Sequence, residues 1–193
     1  PGRDVIRDRS SRVRWWRFGR DKPELRAGIA TLQRYIATSE VSKHRTFSFV
    51  ASGCRPDHSL IVIASDQGFI LGVLSSRIHE VWSLSTGGRL GKGNDPRYGR
   101  TKCFDPFPFP VVDEDRRHLI AELAESLDRH RKTQQASHQD LTMTGMYNVL
   151  AKLRSGEPLS AAEKVIHEHG LLSVLKKLHD DLDTAVFDAY GWP

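Results

Sequence analysis

The sequence is poor in cysteine and contains no long apolar run. Its 193 residues include two cysteines, Cys54 and Cys103. Two lone thiols suit a reducing compartment, so we expect a cytoplasmic protein, and a disulfide between them is the less favoured alternative. No apolar stretch approaches the roughly 20 residues that a membrane helix needs, so no membrane partner is expected. With 38% hydrophobic and 27% charged residues, the composition is that of an ordinary soluble globular protein.

Motifs that mark the common catalytic folds are also missing from the sequence. It has no G-x-G-x-x-G after a strand, no phosphate-binding G-x-x-x-x-G-K-[ST] and no nucleophile elbow. His167 and His169 are two residues apart, so on a helix they would face different sides and chelate a metal poorly. His179 and Asp183 would share a helix face and could ligate a metal, but surface polarity is the favoured interpretation. We therefore predict no catalytic, cofactor-binding or metal-binding residue in this chain.

Charge is distributed unevenly along the chain, whose formal net charge is +5. Residues 1–110 hold 19 Lys and Arg against 10 Asp and Glu, a net charge of +9, whereas residues 111–193 hold 10 against 14, a net charge of −4. This division indicates that only the first half meets a polyanion such as nucleic acid. An ordinary fluctuation of charge between domains is the alternative. Because the chain starts with neither Met nor a signal peptide, we expect a piece of a longer polypeptide.

Residues 87–110, GGRLGKGNDPRYGRTKCFDPFPFP, form the most unusual stretch. Its first part mixes glycines with arginines and lysines. Glycine lets a backbone approach a ligand closely, and these cations suit an anionic ligand. In its last part, phenylalanine alternates with proline, which has no backbone N–H to donate to the hydrogen bonds of a helix or a sheet. We predict a recognition loop followed by an extended hinge that separates a domain at 1–110 from a helical domain at 111–193.

Hydrophobic periodicity predicts an α+β fold, with a mixed α/β domain followed by a small all-α bundle. Apolar spacing predicts a helix over 23–36, a strand over 46–50, a buried strand over 60–65 and one helix over 68–86. The second half shows three helical patterns, over 111–134, over 142–156 and from Ser160 onward. Near the start, RVRWWRFG (12–19) suits either an aromatic-basic nucleic-acid contact or a segment docked on the core, and the second is favoured.

Several blocks of the sequence resemble one known family. They are RWWRFG (14–19), RYIATSEVSKHR (34–45), LIVIAS (60–65), GVLSSRIHEVW (72–82), GGRLG (87–91), RYGRTKCFDPFPFP (97–110) and the terminal run that starts at TGMYNVLAKLRSG (144–156). In this order they are similar to the target-recognition and C-terminal helical regions of MmeI-type DNA methyltransferases. That family groups bacterial fused restriction-modification enzymes with related phage-defence methylases.

The resemblance implies sequence-specific recognition of double-stranded DNA. In the family, an upstream domain of the same polypeptide binds S-adenosylmethionine and methylates an adenine amino nitrogen, using an Asn-Pro-Pro-Tyr-type motif. That motif is not in this chain, so the catalytic domain and the S-adenosylmethionine site are expected in the parent enzyme. The fragment alone is expected to be inactive.

Two sets of residues are the candidate DNA contacts. Base edges are read by cations at guanine, by Asn at adenine and by Asp at cytosine, and the family places its specificity positions in the same region. The base-reading candidates are Arg89, Lys92, Asn94, Asp95 and Arg97. The phosphate-contact candidates are Ser42, Lys43, Arg45, Tyr98, Arg100 and Lys102. For each single residue, the alternative is a side chain that only keeps the surface soluble.

A second function remains open from the sequence alone. The apolar stripes of the acidic half would serve a partner helix as well as an internal core. The protein would then be a helical protein–protein interaction fragment, and its basic half would only confer solubility.

Overall fold

The structure, a computed structural model, describes residues 23–90 and 95–191. The aromatic-basic segment around Trp15 and Trp16 lies outside these residues, as do Lys92 and Asn94. The described elements follow one another as α1 (Pro23–Ala30), β1 (Arg34–Ser39), β2 (Ser48–Ala51), β3 (Leu60–Ile63), α2 (Gly68–Ser75), α3 (Arg77–Thr86), β4 (Gly88–Leu90), β5 (Asp95–Arg97), a π-helical turn (Arg100–Phe104), α4 (Glu114–Ser137), α5 (Met143–Ser155), α6 (Ala161–His169) and α7 (Leu172–Tyr190). The α+β class and the helical second half are confirmed.

A small antiparallel sheet forms the centre of the first half. Strand β1 lies between β2 and β3, and Ile36 of β1 stands opposite Phe49 of β2 and Ile63 of β3. All three side chains are buried, so this row across the strands forms one face of the core. The strands predicted at 46–50 and 60–65 are confirmed to within about two residues, although only Ile63 of β3 is fully buried.

The helix predicted over 23–36 is wrong beyond residue 30. Helix α1 ends at Ala30, and residues 34–39 form β1 instead. Tyr35 and Ile36 are completely buried, and β1 is hydrogen-bonded on both sides. Tertiary pairing therefore overrides the helical spacing of the apolar residues, which is a weak local preference.

The helix predicted over 68–86 is divided in two at Ser76. Its hydroxyl donates to Val73 O (2.7 Å) and accepts from His79 N, so this buried serine ends α2 and caps α3. Serine competes in this way with the backbone bonds of a continuous helix. Gly87 ends α3 as predicted.

The long helical pattern that starts at Ser160 is also divided. Ser160 and Glu163 form a capping box at the start of α6. The chain then turns at Gly170, where a Cβ would lie 2.8 Å from Leu172 Cδ2 and 2.9 Å from Ile166 O. Leu171 adopts a left-handed conformation (φ 44°), which breaks the helix before α7 begins.

The apolar core extends across the predicted domain boundary at residue 110. Phe69 and Val73 of α2 belong to the same buried cluster as Ile120 of α4 and Leu182 of α7, and Phe107 of the Phe-Pro segment joins them. The close contact of α2 with α4 needs a glycine, because a Cβ on Gly72 would lie 2.6 Å from Ile120 Cγ2. The division at 110 stays a prediction, and the helices on its two sides pack on each other.

Candidate nucleic-acid interface

The predicted recognition loop is a β-hairpin. Arg89 of β4 pairs with Pro96 of β5, and Leu90 pairs with Asp95; the tip, residues 91–94, lies outside the described residues. Arg89 and Leu90 are exposed. The hairpin leaves α3 through a tight junction, since a Cβ on Gly87 would lie 2.5 Å from Ser83 O and 2.7 Å from Arg97 O. Glycine at this position lets the hairpin start directly at the end of the helix.

Strand β5 also pairs with the segment that follows β1. Val41 forms a β-bridge with Arg97, Ser42 N donates to Pro96 O (3.3 Å) and Tyr98 N donates to Glu40 O (2.7 Å). The hairpin and the loop that carries Ser42 and Lys43 are therefore neighbours on one edge of the molecule. Two groups of candidates that are about 50 residues apart in sequence are brought together by this pairing.

Arg45 is a buried residue that links β1 to the hairpin. Its guanidinium donates to Thr38 Oγ1 (3.0 Å), Ser39 O and Pro96 O (3.1 Å). It lies 5.1 Å from the centre of the Tyr98 ring. The residue is only 9% exposed, and burial lowers the pKa of the guanidinium. These contacts and this burial indicate that Arg45 stabilises the packing of β1 on the hairpin. We therefore remove Arg45 from the phosphate-contact set.

Tyr98 is likewise an interior residue. It is 1% exposed, and its hydroxyl hydrogen-bonds to His79 Nε2 at 2.9 Å. Burial raises the pKa of the Tyr98 phenol and lowers the pKa of His79 to about 3. The rings of Phe47 and His79 contact Tyr98 edge to face. Because its polar atom is buried and bonded to α3, Tyr98 also leaves the phosphate-contact set.

Lys43 remains an exposed cation beside the hairpin. Its Nζ donates to Asn148 Oδ1 (2.7 Å), and His44 Nε2 donates to the same oxygen (2.9 Å). Ser42 Oγ donates to His44 O (2.7 Å) and shapes the turn. Asn148 is a neutral acceptor on α5, so the positive charge of Lys43 stays uncompensated by this contact. Nothing in the sequence pointed to Asn148, which lies 105 residues from Lys43.

Arg97 is exposed but paired. Its Nε and Nη2 lie 2.8 and 2.7 Å from Glu40 Oε1, and half of its side chain faces solvent. Ion pairs at this level of exposure contribute about 0–1 kcal/mol, so Arg97 can exchange Glu40 for another acceptor at little cost.

Arg100 and Lys102 lie on the π-helical turn that follows the hairpin. The Arg100 side chain is 74% exposed and lies 3.2 Å from Asp105 Oδ2, and Lys102 is exposed. The opposite side of the turn is fixed, because Cys103 is buried and Cys103 O accepts from Trp82 Nε1 (3.0 Å). The turn thus presents two cations on a rigid support.

The interpretation of His179 and Asp183 as surface polarity is wrong. His179 is buried and hydrogen-bonds to Tyr147 through Nε2 (2.7 Å). Asp183 Oδ1 accepts from Arg77 N (2.7 Å) at the start of α3, where a carboxylate suits the helix dipole. His179 thus joins α7 to α5 within the bundle, and Asp183 joins the bundle to the first half.

No helix in the described ranges is long and apolar enough to cross a membrane.

The exposed cations Lys43, Arg97, Arg100 and Lys102 form a basic edge beside the hairpin. This edge and the fold together define an α+β binding module joined to a helical bundle. The family described as "MmeI, target recognition domain" matches residues 7–111, more than half of the chain. The chain belongs to this family.

Two relatives extend the comparison. "DNA methyltransferase A" of Bacillus subtilis (strain 168) is 32% identical over 90 residues, which are 46% of this chain and 9% of that protein. The solved structure of the Type IIL restriction-modification enzyme MmeI in complex with DNA is similar in fold, with a TM-score of 0.64 and 22% identity, and covers 95% of this chain. The chain spans 23% of that structure's length, so both relatives are far longer.

Proposed function

We propose that this chain is the module that recognises double-stranded DNA in a methyltransferase-type restriction-modification enzyme. The enzyme would use S-adenosylmethionine to methylate adenine N6, and an upstream domain of the same polypeptide would bind that cofactor. The observation that carries the proposal is the pairing of β5 with residues 40–42. In this member of the family, the pairing places the hairpin and the loop that contains Lys43 side by side on the basic edge.

The hairpin supplies the base contacts in this proposal. A two-stranded ribbon fits the major groove, where arginine and lysine pair with guanine, asparagine with adenine, and aspartate accepts from cytosine. The base-reading set is Arg89, Lys92, Asn94, Asp95 and Arg97. Glu40 orients Arg97 before DNA arrives, and the weak exposed pair then opens in favour of a base edge.

Phosphate contacts come from the cations beside the hairpin. The set contains Ser42, Lys43, Arg100 and Lys102. Phosphate contacts fix the register of the protein on the duplex without reading its sequence. Asn148 positions Lys43 from the helical bundle, so the second half of the chain contributes by bracing the interface.

The helical half offers little support for the alternative of a protein–protein interaction fragment. Leu127, Leu175 and Leu182 of its main stripes are completely buried within this chain, whereas Leu119 and Leu171 are about half exposed. The three buried leucines fill the core that the bundle shares with α2, so they cannot also serve a partner helix.

A salt titration of DNA binding tests the phosphate assignment. In the full-length enzyme, Lys43→Ala should weaken binding to all sequences alike and lower the slope of log K against log salt by about 1. Lys164→Ala is the control, because Lys164 is an exposed lysine of α6 away from the hairpin, and it should leave the slope unchanged. An unchanged slope in Lys43→Ala would remove this residue from the interface.

A further inference from the structure

Three potential metal ligands meet where two turns of the helical bundle come together. His138 follows the last residue of α4, Asp140 lies two residues further on, and His169 is the last residue of α6. One ligand atom from each residue lies within 4.8 Å of the other two, and His169 Nδ1 lies 3.8 Å from Asp140 Oδ2. The three residues come from segments about 30 residues apart, so spacing along the sequence did not reveal them.

The two imidazole rings of this group lie face to face. Those of His138 and His169 stack with their centres 4.0 Å apart and their planes 10° apart. A metal ion lies close to the plane of each imidazole that ligates it, so one of these parallel rings must rotate before both nitrogens can bind the same ion.

A buried nitrogen at this place lacks a hydrogen bond. His169 Nδ1 is inaccessible to solvent and has no hydrogen-bond partner among the described residues. Leaving such an atom unsatisfied costs about 1–3 kcal/mol. It is also the atom that lies closest to Asp140 in the ion-pair geometry, so its lone pair is available where a cation would sit between the three side chains.

Neighbouring contacts hold the two turns in place. His130 Nε2 donates to Gly170 O (3.0 Å), directly after His169. Leu141 N donates to His138 O (3.0 Å), and Gln135 Nε2 donates to Leu141 O (3.2 Å). The histidine backbones are therefore fixed before any ligand binds. Adjustment falls to the side chains, which are exposed in Asp140 (68%) and half-buried in His138 and His169.

We propose that His138, Asp140 and His169 bind one Zn²⁺ ion, with water as the fourth ligand. Two imidazoles and one carboxylate form a set that Zn²⁺ accepts, while Mg²⁺ and Ca²⁺ prefer oxygen ligands alone. Bonds of about 2.0–2.2 Å in a tetrahedral site require the three ligand atoms to move closer together. Rotation of the Asp140 side chain and of one imidazole out of the stack supplies that movement. The ion links the α4–α5 turn to the α6–α7 turn and stabilises the bundle independently of DNA.

Metal titration of the full-length protein tests this site. After removal of metal with a chelator, calorimetry with Zn²⁺ alone should show one more bound ion in the wild type than in the His138→Ala/His169→Ala double variant. Asp140→Asn should raise the Kd at least about tenfold without affecting folding, because Asp140 is exposed. Zn²⁺ should raise the Tm of the wild type more than that of these variants, and Mg²⁺ should have no effect.

A matched control separates the site from surface histidines. His118→Ala removes an exposed histidine of α4 whose side chain is 72% solvent-accessible, and Zn²⁺ binding should be unchanged in this variant. Equal Zn²⁺ stoichiometry and Kd in the wild type and in Asp140→Asn would overturn the proposal. So would a Zn²⁺ effect on Tm that survives in the double variant.

Discussion

Replacing Arg131 with alanine is expected to lower the free energy of unfolding by about 3–5 kcal/mol, the range found when one partner of a buried ion pair is removed. Arg131 of α4 is 1% exposed. Its guanidinium donates to Phe47 O (2.7 Å) and to the Tyr147 hydroxyl (3.1 Å), and it lies 3.5 Å from Asp128 Oδ1. One side chain thus joins the sheet, α4 and α5.

The size of this effect follows from what the alanine variant leaves behind. Phe47 O lies just before β2 and loses a charged donor, and Asp128 loses one of its two ion-pair partners among the described residues and keeps Lys132, at 2.5 Å. Each buried polar group without its partner carries a desolvation cost of about 1–3 kcal/mol. The cavity left by the arginine side chain adds to it.

Urea unfolding of Arg131→Ala and Arg129→Ala measures this effect. Arg129 is an exposed arginine of the same helix, so its replacement should change stability by no more than about 0.5 kcal/mol. A loss below about 1 kcal/mol in Arg131→Ala would mean that the guanidinium does not connect the two halves as described.

Acid is expected to destabilise the protein through two buried histidines. Burial, with Arg45 as a smaller cause, lowers the pKa of His79 to about 3. Burial, followed by Arg131 and Arg154, lowers that of His179 to about 3. These pKa values lie below the usual 6.5 of a histidine in an unfolded chain. Between pH 3 and pH 6.5, the unfolded state therefore binds more protons than the folded state. The stability that depends on neutral His79 and His179 is complete above about pH 6.5 and is lost as the pH falls toward 3.

The expected loss is large enough to measure at pH 5. One unit of pKa difference corresponds to about 1.4 kcal/mol, so each histidine should contribute a loss of about 2 kcal/mol between pH 7.5 and 5, or about 4 kcal/mol together. Urea unfolding at the two pH values gives this difference. In His179→Gln, which cannot titrate, the pH-dependent loss should fall by about half, whatever the stability of the variant at pH 7.5. An undiminished loss would assign the acid sensitivity to other groups.

Elements whose local and tertiary preferences agree could be predicted from the sequence. The β-branched run at 60–63 is a strand, and the apolar stripe that contains Ile120 and Leu127 is the buried face of a helix. Apolar spacing predicts a helix through residues 34–36, because it contains no information on the pairing of β1 with both β2 and β3. A short apolar segment can be read as a helix or as a strand when the segments that pack against it come from elsewhere in the chain.

The candidate site was predicted only in part, because charge along the sequence does not reveal burial. Lys43 and Arg45 are two residues apart, yet Lys43 is exposed and Arg45 is enclosed by carbonyl and hydroxyl acceptors. Asn148 and the group of His138, Asp140 and His169 arise from contacts between distant segments. The position of the hairpin could be predicted, because its glycines and cations are close together in the sequence.

The central claim, that the β4–β5 hairpin reads the DNA sequence, is tested most directly by sequencing methylated adenines in DNA exposed to the full-length enzyme. Arg89, Lys92 and Arg97 are replaced together by alanine, with Lys164→Ala as the control and Tm as a check on folding. Each base contact contributes about 1–3 kcal/mol, so methylation at the wild-type sites should fall at least about 100-fold while the control stays unchanged. Methylation of the same sites at the wild-type level by the folded triple variant would contradict the claim.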